Sequence, residues 1–136
     1  WMSVYLADAD PATGAVLFES YADADNNIYF RTNSTEGIYA RHEGDTTAAT
    51  KTLGTVSVQT WTRVGVTWDA GNYVSIKIGA GSWTDGTAAS AAFNALHQPD
   101  DITIGENAIG VTDDATIYID NVYVLSGYKT ADPGVP

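Results

Sequence analysis

The chain has 136 residues, of which 44% are hydrophobic and 17% charged, so it is long enough for one domain with a core and too short for two comfortable ones. The formal net charge of −11 excludes nucleic acid as a natural partner, because phosphate repels an acidic surface that has no basic patch to offset it. The absence of cysteine excludes disulfide and thiol chemistry, and no apolar run approaches the roughly 20 residues needed for membrane insertion as a helix.

Short stretches of alternating apolar and polar residues predict that most of the chain is β-strand. In chain order the predicted strands are 1–6, 15–21, 27–32, 38–42, a weaker 51–58, then 61–68, 73–78, 101–104 and 115–126. Residues 43–50 are predicted as polar loop, and 88–96 remain ambiguous between helical turn and strand. Many short strands with almost no helix predict an all-β fold that is closed or two-layered and antiparallel.

The last predicted strand changes its apolar phase part-way along. Ile117 and Ile119 occupy odd positions, whereas Val122 and Val124 occupy even ones. Side chains of a plain strand alternate strictly, so one extra residue at positions 120–121 is needed to keep all four on one face. The sequence therefore predicts a β-bulge there.

The hairpin formed by the third and fourth predicted strands combines tyrosine with arginine. If its apolar residues face inward, Tyr29, Arg31, Tyr39 and Arg41 face outward, and a five-residue turn at 33–37 sets Tyr29 opposite Arg41 and Arg31 opposite Tyr39. This composition suits stacking on a sugar and equally suits a protein interface. Cross-strand cation–π pairing that merely covers the sheet is an alternative of equal weight.

Four tryptophans divide between candidate ligand contacts and candidate core. Trp83 lies in a Gly-rich stretch and is the best candidate for an exposed ligand-binding aromatic, although a loop tryptophan can also close the end of a core. Trp1, Trp61 and Trp68 are predicted to lie in the core.

Four segments carry a family resemblance. They are Trp61-Thr-Arg-Val-Gly-Val-Thr-Trp68-Asp, Tyr73-Val-Ser-Ile-Lys-Ile-Gly, Asp101-Ile-Thr-Ile-Gly105 and Ile117-Tyr-Ile-Asp120-Asn-Val-Tyr-Val124. In this order they resemble the concanavalin A-like lectin/glucanase superfamily, in its laminin G-like branch. The resemblance spans about residues 1–128 and implies a jelly-roll sandwich of two antiparallel sheets, with 129–136 as a tail or linker.

The resemblance also implies one strand that this sequence does not display. Members of the superfamily usually have a strand before the one that begins here at Trp1, and it pairs near the last strand. We expect that strand to be supplied by a preceding segment or by another chain, and an incomplete sheet edge invites such completion or self-association.

Catalysis is not expected. Glucanases of the superfamily carry a Glu-x-Asp-x-x-Glu strand, whose two carboxylates flank the scissile bond. The glutamates of this chain are Glu19, Glu36, Glu43 and Glu106. None of them falls in that spacing with an aspartate between, so we predict that the protein is not an enzyme.

Asp120 is the candidate metal ligand. In several relatives the acid of the closing strand contributes to a structural calcium site, and here it coincides with the predicted bulge, which can redirect a side chain. The alternative is that Asp120 accepts hydrogen bonds from backbone N–H groups that the bulge leaves unpaired. An EF-hand beginning at Asp23 is excluded, because Ile28 stands where the turn glycine is required.

Two functions therefore remain open. The first is a non-catalytic extracellular recognition module, with glycan or a protein surface as its ligand. The second is a structural or assembly module of a virion surface, decoration or fibre protein, or of a cell-surface protein. Glycan binding and oligomeric state distinguish them.

Overall fold

The computed structural model describes residues 1–7, 16–23, 26–32, 37–44, 47–68, 74–86, 101–105 and 116–134, and in these it contains ten strands and no helix. The strands are β1 (Met2–Leu6), β2 (Val16–Asp23), β3 (Asn26–Thr32), β4 (Gly37–Gly44), β5 (Thr47–Thr55), β6 (Thr62–Trp68), β7 (Val74–Ile78), β8 (Thr84–Asp85), β9 (Asp101–Thr103) and β10 (Ile117–Asp120). No helix long and apolar enough to cross a membrane occurs in these segments. The ambiguous stretch 88–96 lies outside the described residues.

The strands form two five-stranded antiparallel sheets. Sheet A has the order β10-β1-β6-β7-β8, and sheet B has the order β5-β4-β3-β2-β9. All registered pairs are antiparallel. The predicted all-β sandwich of two antiparallel sheets is thereby confirmed.

The core lies between the sheets and follows the alternation of the sequence. Apolar side chains at every second position turn inward from both sheets, as period-two geometry requires. The inward set includes Val4 and Leu6 of β1, Val64 of β6, Val74 and Ile76 of β7, Phe30 of β3, and Ile38 and Ala40 of β4. The residues between them form the outer faces of the two sheets, where the candidate sites lie.

The β4–β5 hairpin contradicts the polar loop predicted for 43–50. β4 continues to Gly44 and β5 begins at Thr47, so those residues belong largely to two paired strands. Only two residues separate Gly44 from Thr47, a connection length typical of tight hairpins. The alanine and threonine of the stretch show no apolar alternation, but its residues pair with one another across β4 and β5, and β4 also pairs with β3 on its other side.

The bulge predicted at 120–121 is present in the ladder between β1 and the end of β10. Ser3 pairs with Asp120, whereas Trp1 exchanges both backbone hydrogen bonds with Tyr123, at 2.9 and 2.8 Å. Three steps along one strand thus face two along the other. Asn121 takes the extra position with φ 49, in the left-handed region that asparagine tolerates better than most residues.

The bulge restores the inward phase only in part. Ile117, Ile119 and Val122 all pack against the core, as the change of phase predicts. Val124 was expected to join them and instead is 61% exposed, because regular strand structure ends at Asp120 rather than at residue 126.

Candidate functional site

The tyrosine and arginine side chains of the β3–β4 hairpin lie together on the outer face of sheet B. The register pairs Tyr29 with Arg41 and Arg31 with Tyr39, as the turn length predicts. Their neighbours Phe30 and Ala40 face the core, so all four lie on the opposite face. We refer to these four residues as the Tyr/Arg cluster.

Ring stacking and cation–π contacts hold the Tyr/Arg cluster together. The rings of Tyr29 and Tyr39 stack with centroids 5.7 Å apart and planes inclined by 30°. The guanidinium carbon of Arg31 lies 4.3 Å from the Tyr29 centroid and 5.4 Å from that of Tyr39, and the Arg41 guanidinium lies 5.9 Å from Tyr29. Both cations lie within the roughly 6 Å at which a ring quadrupole attracts them.

Tyr29 is the buried centre of the Tyr/Arg cluster. It is 7% exposed, and its hydroxyl oxygen accepts hydrogen bonds from Arg41 Nη1 at 3.2 Å and from Arg31 Nη2 at 3.4 Å. Burial raises the pKa of Tyr29, while the hydrogen bond from Arg41 acts in the opposite direction. The phenol is therefore neutral at physiological pH.

Glu19 is a neighbour of this cluster that the sequence analysis did not assign to it. It pairs directly with Tyr29 across β2 and β3 and is 1% exposed. Because Phe18 faces the core, Glu19 belongs to the same outer face as Tyr29. The alternation of β2 indicates which face Glu19 occupies, but nothing local in the sequence sets the register between β2 and β3. Two register shifts in this pair show why a simple count would have failed.

Trp83 does not join the Tyr/Arg cluster. It packs edge-on against Trp1, with centroids 5.4 Å apart and planes at 65°, on the outer face of sheet A. Gly65 of β6 makes room for both rings, since a Cβ there would lie 2.9 Å from Trp83 and 3.0 Å from Trp1. The predicted five-residue site is thus divided between the outer faces of two different sheets.

Sheet A carries a second aromatic surface that the sequence analysis missed. Tyr5 lies 5.5 Å from Trp61 and 5.8 Å from Tyr118, measured between ring centroids, and we call the three the sheet A aromatic patch. Trp61 is 52% exposed, so its predicted place in the core is wrong. Trp61 lies one position before β6, and continuing the alternation of that strand, in which Val64 faces the core, puts Trp61 with the outward set.

The two other tryptophans predicted to be core are buried in different ways. Trp68 packs against the core and lies 6.0 Å from the ring of Phe18. Trp1 is 8% exposed, but it is buried on the outer face of sheet A rather than between the sheets. Arg63 and Lys77 both lie over its ring, at 5.8 and 5.7 Å from the centroid.

Arg63 fastens the end of the described chain to sheet A. Its guanidinium forms a bidentate ion pair with Asp132 at 2.9 to 3.0 Å and donates to the Asn121 carbonyl at 2.7 Å. Lys129 adds a backbone hydrogen bond to Thr67 Oγ1 at 3.1 Å and an ion pair with Asp85 at 2.7 Å. Part of the segment expected to be a tail or linker therefore lies against the domain.

Asp120 accepts the backbone N–H of Asn121 at 2.7 Å through Oδ1. This is the contact expected if the carboxylate serves the bulge itself. No group of three or more acidic, histidine or cysteine side chains able to hold a metal occurs among the described residues. Other aspartates whose oxygens could bind calcium, including Asp8, Asp10, Asp25 and Asp113, lie outside the described segments. A calcium site at Asp120 stays a prediction.

Comparison with known proteins gave no match to a protein-family model, to a curated protein or to a solved structure. The functional argument therefore starts from the surfaces described above.

Proposed function

We propose that this protein is a non-catalytic recognition module that binds glycan through the outer face of sheet B. The observation that carries the proposal is the Tyr/Arg cluster, whose four side chains converge in register on one face. Aromatic faces stack on the apolar face of a sugar, and guanidinium groups donate directional hydrogen bonds to its oxygens. Arg31, Tyr39 and Arg41 are partly exposed above the buried Tyr29, so a ligand can reach them.

The strand pairing supports the jelly-roll form of the sandwich. β1 pairs with β10 and β2 pairs with β9, so the outermost strands of the chain are nested in antiparallel pairs. Nested pairing of this kind is expected when a long chain folds back on itself and then wraps into two sheets, as in jelly rolls. It is consistent with the resemblance to the concanavalin A-like superfamily and, with it, a place outside the cell, on a cell surface or on a virion.

The acid beside the cluster supports binding rather than hydrolysis. A glycosidase needs two carboxyl groups that reach opposite sides of the scissile bond. Glu19 is 1% exposed beneath the face that a sugar would approach, so it is placed to orient neighbouring groups rather than to attack substrate.

Substitution of Tyr39 tests the proposal. We expect the intact chain to select a glycan on an array, and Tyr39→Ala to weaken binding of that glycan by about five-fold or more in titration calorimetry, since one aromatic contact is worth about 1 kcal/mol. Tyr118→Ala is the matched control, because it removes an exposed tyrosine from the other sheet. Failure of every glycan to bind would reject the proposal, and loss with Tyr118→Ala alone would move the site to the sheet A aromatic patch.

A second candidate, an assembly module, is favoured by the sheet edges. β10 and β9 are edge strands, and they expose Tyr118 and Ile102 at 55% and 56%. An edge strand with exposed apolar side chains is a template for pairing with another chain. Light scattering on the intact chain tests this candidate, and a monomer under all conditions would remove it. A change of oligomeric state with calcium would in addition support a site at Asp120.

A further inference from the structure

The sheet A aromatic patch has a central ring with an inclined ring on each side. Tyr5 of β1 pairs with Tyr118 of β10, and continuing the register of β1 with β6 sets Trp61 on the other side of Tyr5. The ring planes of Tyr118 and Trp61 are inclined to that of Tyr5 by 65° and 50°. Trp61 and Tyr118 are 52% and 55% exposed, and Tyr5 is partly exposed. A small group bound over Tyr5 therefore has aromatic surface on both sides.

The cations of the chain itself lie over other rings. Every lysine and arginine whose side chain the structure describes makes such a contact: Arg31 and Arg41 lie over Tyr29, Arg63 and Lys77 over Trp1, and Lys129 over Tyr128. Among the described residues none lies over Tyr5, Trp61 or Tyr118. The attraction that the quadrupoles of these three rings exert on a cation is therefore available to a ligand.

The charges around the patch also favour a cation. The chain carries a net charge of −11, and Asp120 lies two positions after Tyr118 in β10, exposed and on the same face. Arg63 lies on that face two positions after Trp61, but its guanidinium is paired with Asp132 at 2.9 Å. The local charge thus attracts cations and repels anions.

The chemistry of the three rings restricts the kind of cation. A primary ammonium is compact and strongly hydrated, and it needs acceptors for three N–H donors. A quaternary ammonium has no N–H donor, and its methyl groups carry the charge against aromatic faces. Because the patch offers ring faces rather than carboxylates as its direct contacts, it suits the quaternary ion better.

We propose that the sheet A aromatic patch binds a small quaternary ammonium compound of the choline class. The trimethylammonium group lies over Tyr5, with its methyl groups against Trp61 and Tyr118, and the hydroxyl end remains in solvent. This site lies on the outer face of sheet A, so it does not depend on glycan binding by the Tyr/Arg cluster on sheet B.

Three ligands of similar size test the kind of cation. Choline, its uncharged analogue 3,3-dimethylbutan-1-ol and the primary amine ethanolamine are each titrated against the intact chain by NMR at constant ionic strength. We expect choline to bind about five-fold or more tightly than either of the others, because the alcohol lacks the charge and the primary ammonium loses more hydration. Equal binding of the alcohol would reduce the contact to apolar packing, and equal binding of ethanolamine would reduce it to net charge. Either result, or no binding of choline, overturns the proposal.

Phosphocholine separates a free choline-type ligand from a phosphate-bearing headgroup. It should bind more weakly than choline, because its phosphate meets a chain of net charge −11. If phosphocholine binds more tightly than choline, the assignment to a free quaternary ammonium compound is wrong.

Substitution of Trp61 tests the placement. Trp61→Leu keeps an apolar side chain and removes the ring, so choline should bind about five-fold more weakly while the uncharged alcohol changes little. Trp61→Phe should restore part of the preference for choline. Trp61 is 52% exposed, so both variants should fold.

Tyr128→Leu is the matched control for Trp61→Leu. It also removes an exposed ring from sheet A's outer surface, but Lys129 already lies over that ring, 5.2 Å from its centroid. Choline binding should therefore be unchanged in this variant. Equal losses with Trp61→Leu and Tyr128→Leu would overturn the assignment of the site.

Discussion

Arg63 shows how many contacts one side chain makes on the outer face of sheet A. It pairs with Asp132, donates to the carbonyl of the bulge residue Asn121 and lies over the rings of Trp1 and Tyr123. Its side chain is only 13% exposed, so the bidentate geometry is well shielded on the arginine side. The ion pair therefore connects the segment after β10 with β6.

The Arg63–Asp132 pair predicts a pH-dependent contribution to stability. The hydrogen bond from Arg63 lowers the pKa of Asp132, with further help from the Gly134 N–H. A carboxyl whose folded pKa is depressed stabilises the fold above its unfolded pKa of about 3.9, and that stability is lost as pH falls through the folded pKa. Because Asp132 is partly exposed, we expect a contribution of about 1 kcal/mol or less.

Asp132→Asn measures this contribution. Urea unfolding should give the variant a lower free energy of unfolding than the parent at pH 7, and the difference should shrink towards about pH 2, as the parent carboxyl becomes protonated. If the difference in free energy of unfolding is the same at both pH values, the variant is destabilised by the changed shape of the side chain and not by the lost charge.

The residue-scale expectations succeeded where local geometry is sufficient. The register of Tyr29 with Arg41 follows from the turn length and from alternation, both of which are readable in a short stretch. Glu19 could not be added, because its place opposite Tyr29 depends on bulges in β2. The hydrophobicity of Trp61 predicts a place in the core, whereas its odd position predicts the exposed outer face on which it lies.

At the scale of elements, the change of apolar phase in the sequence of β10 corresponds to a β-bulge in the structure. The change of apolar phase between Ile119 and Val122 predicts an extra residue, and Asn121 supplies it at φ 49. The strand ends at Asp120, sooner than expected, and beyond the bulge Trp1 and Tyr123 form one further backbone pair. Periodicity identifies such a break but not the length of pairing after it.

Substitution of Asn121 tests the bulge. A β-branched residue in the left-handed region is strained by about 1–2 kcal/mol, whereas glycine adopts that region freely. We expect Asn121→Val to lower the free energy of unfolding by about that amount and Asn121→Gly to change it by a few tenths of a kcal/mol. If valine is tolerated as well as glycine, the left-handed conformation is not required.

At the scale of the whole molecule, the sequence supported the fold class better than the strand order. Alternation of apolar residues is local, so the two-layered all-β architecture followed from it. The order of strands in each sheet depends on contacts between distant residues, such as those of β1 with β10, and no local pattern encodes them. The β4–β5 hairpin was missed for a related reason, since pairing rather than composition makes it a strand.

If the protein is an assembly module, its net charge opposes the association of two copies. Two copies that each carry −11 repel one another, and raising ionic strength from about 0.01 M to about 1 M shortens the screening length from about 30 Å to about 3 Å. If copies pair along the β10 edge, light scattering should show a dimer fraction that rises with salt. Tyr118→Lys should abolish the dimer. Trp61→Lys should not, because Trp61 is similarly exposed but lies outside β10. A salt-independent monomer would contradict this.

The position of β1 between β6 and β10 has a consequence for how the chain reaches its fold. One edge of β1 pairs with β6, about half the chain away in sequence. The other edge pairs with β10, Ile117–Asp120, close to the end of the described residues. Pairings of such sequence separation make folding slow, because loop-closure entropy is lost before the contacts are gained. During synthesis on the ribosome, sheet B can form its hairpins early, whereas β1 keeps an unpaired edge until Ile117–Asp120 has emerged.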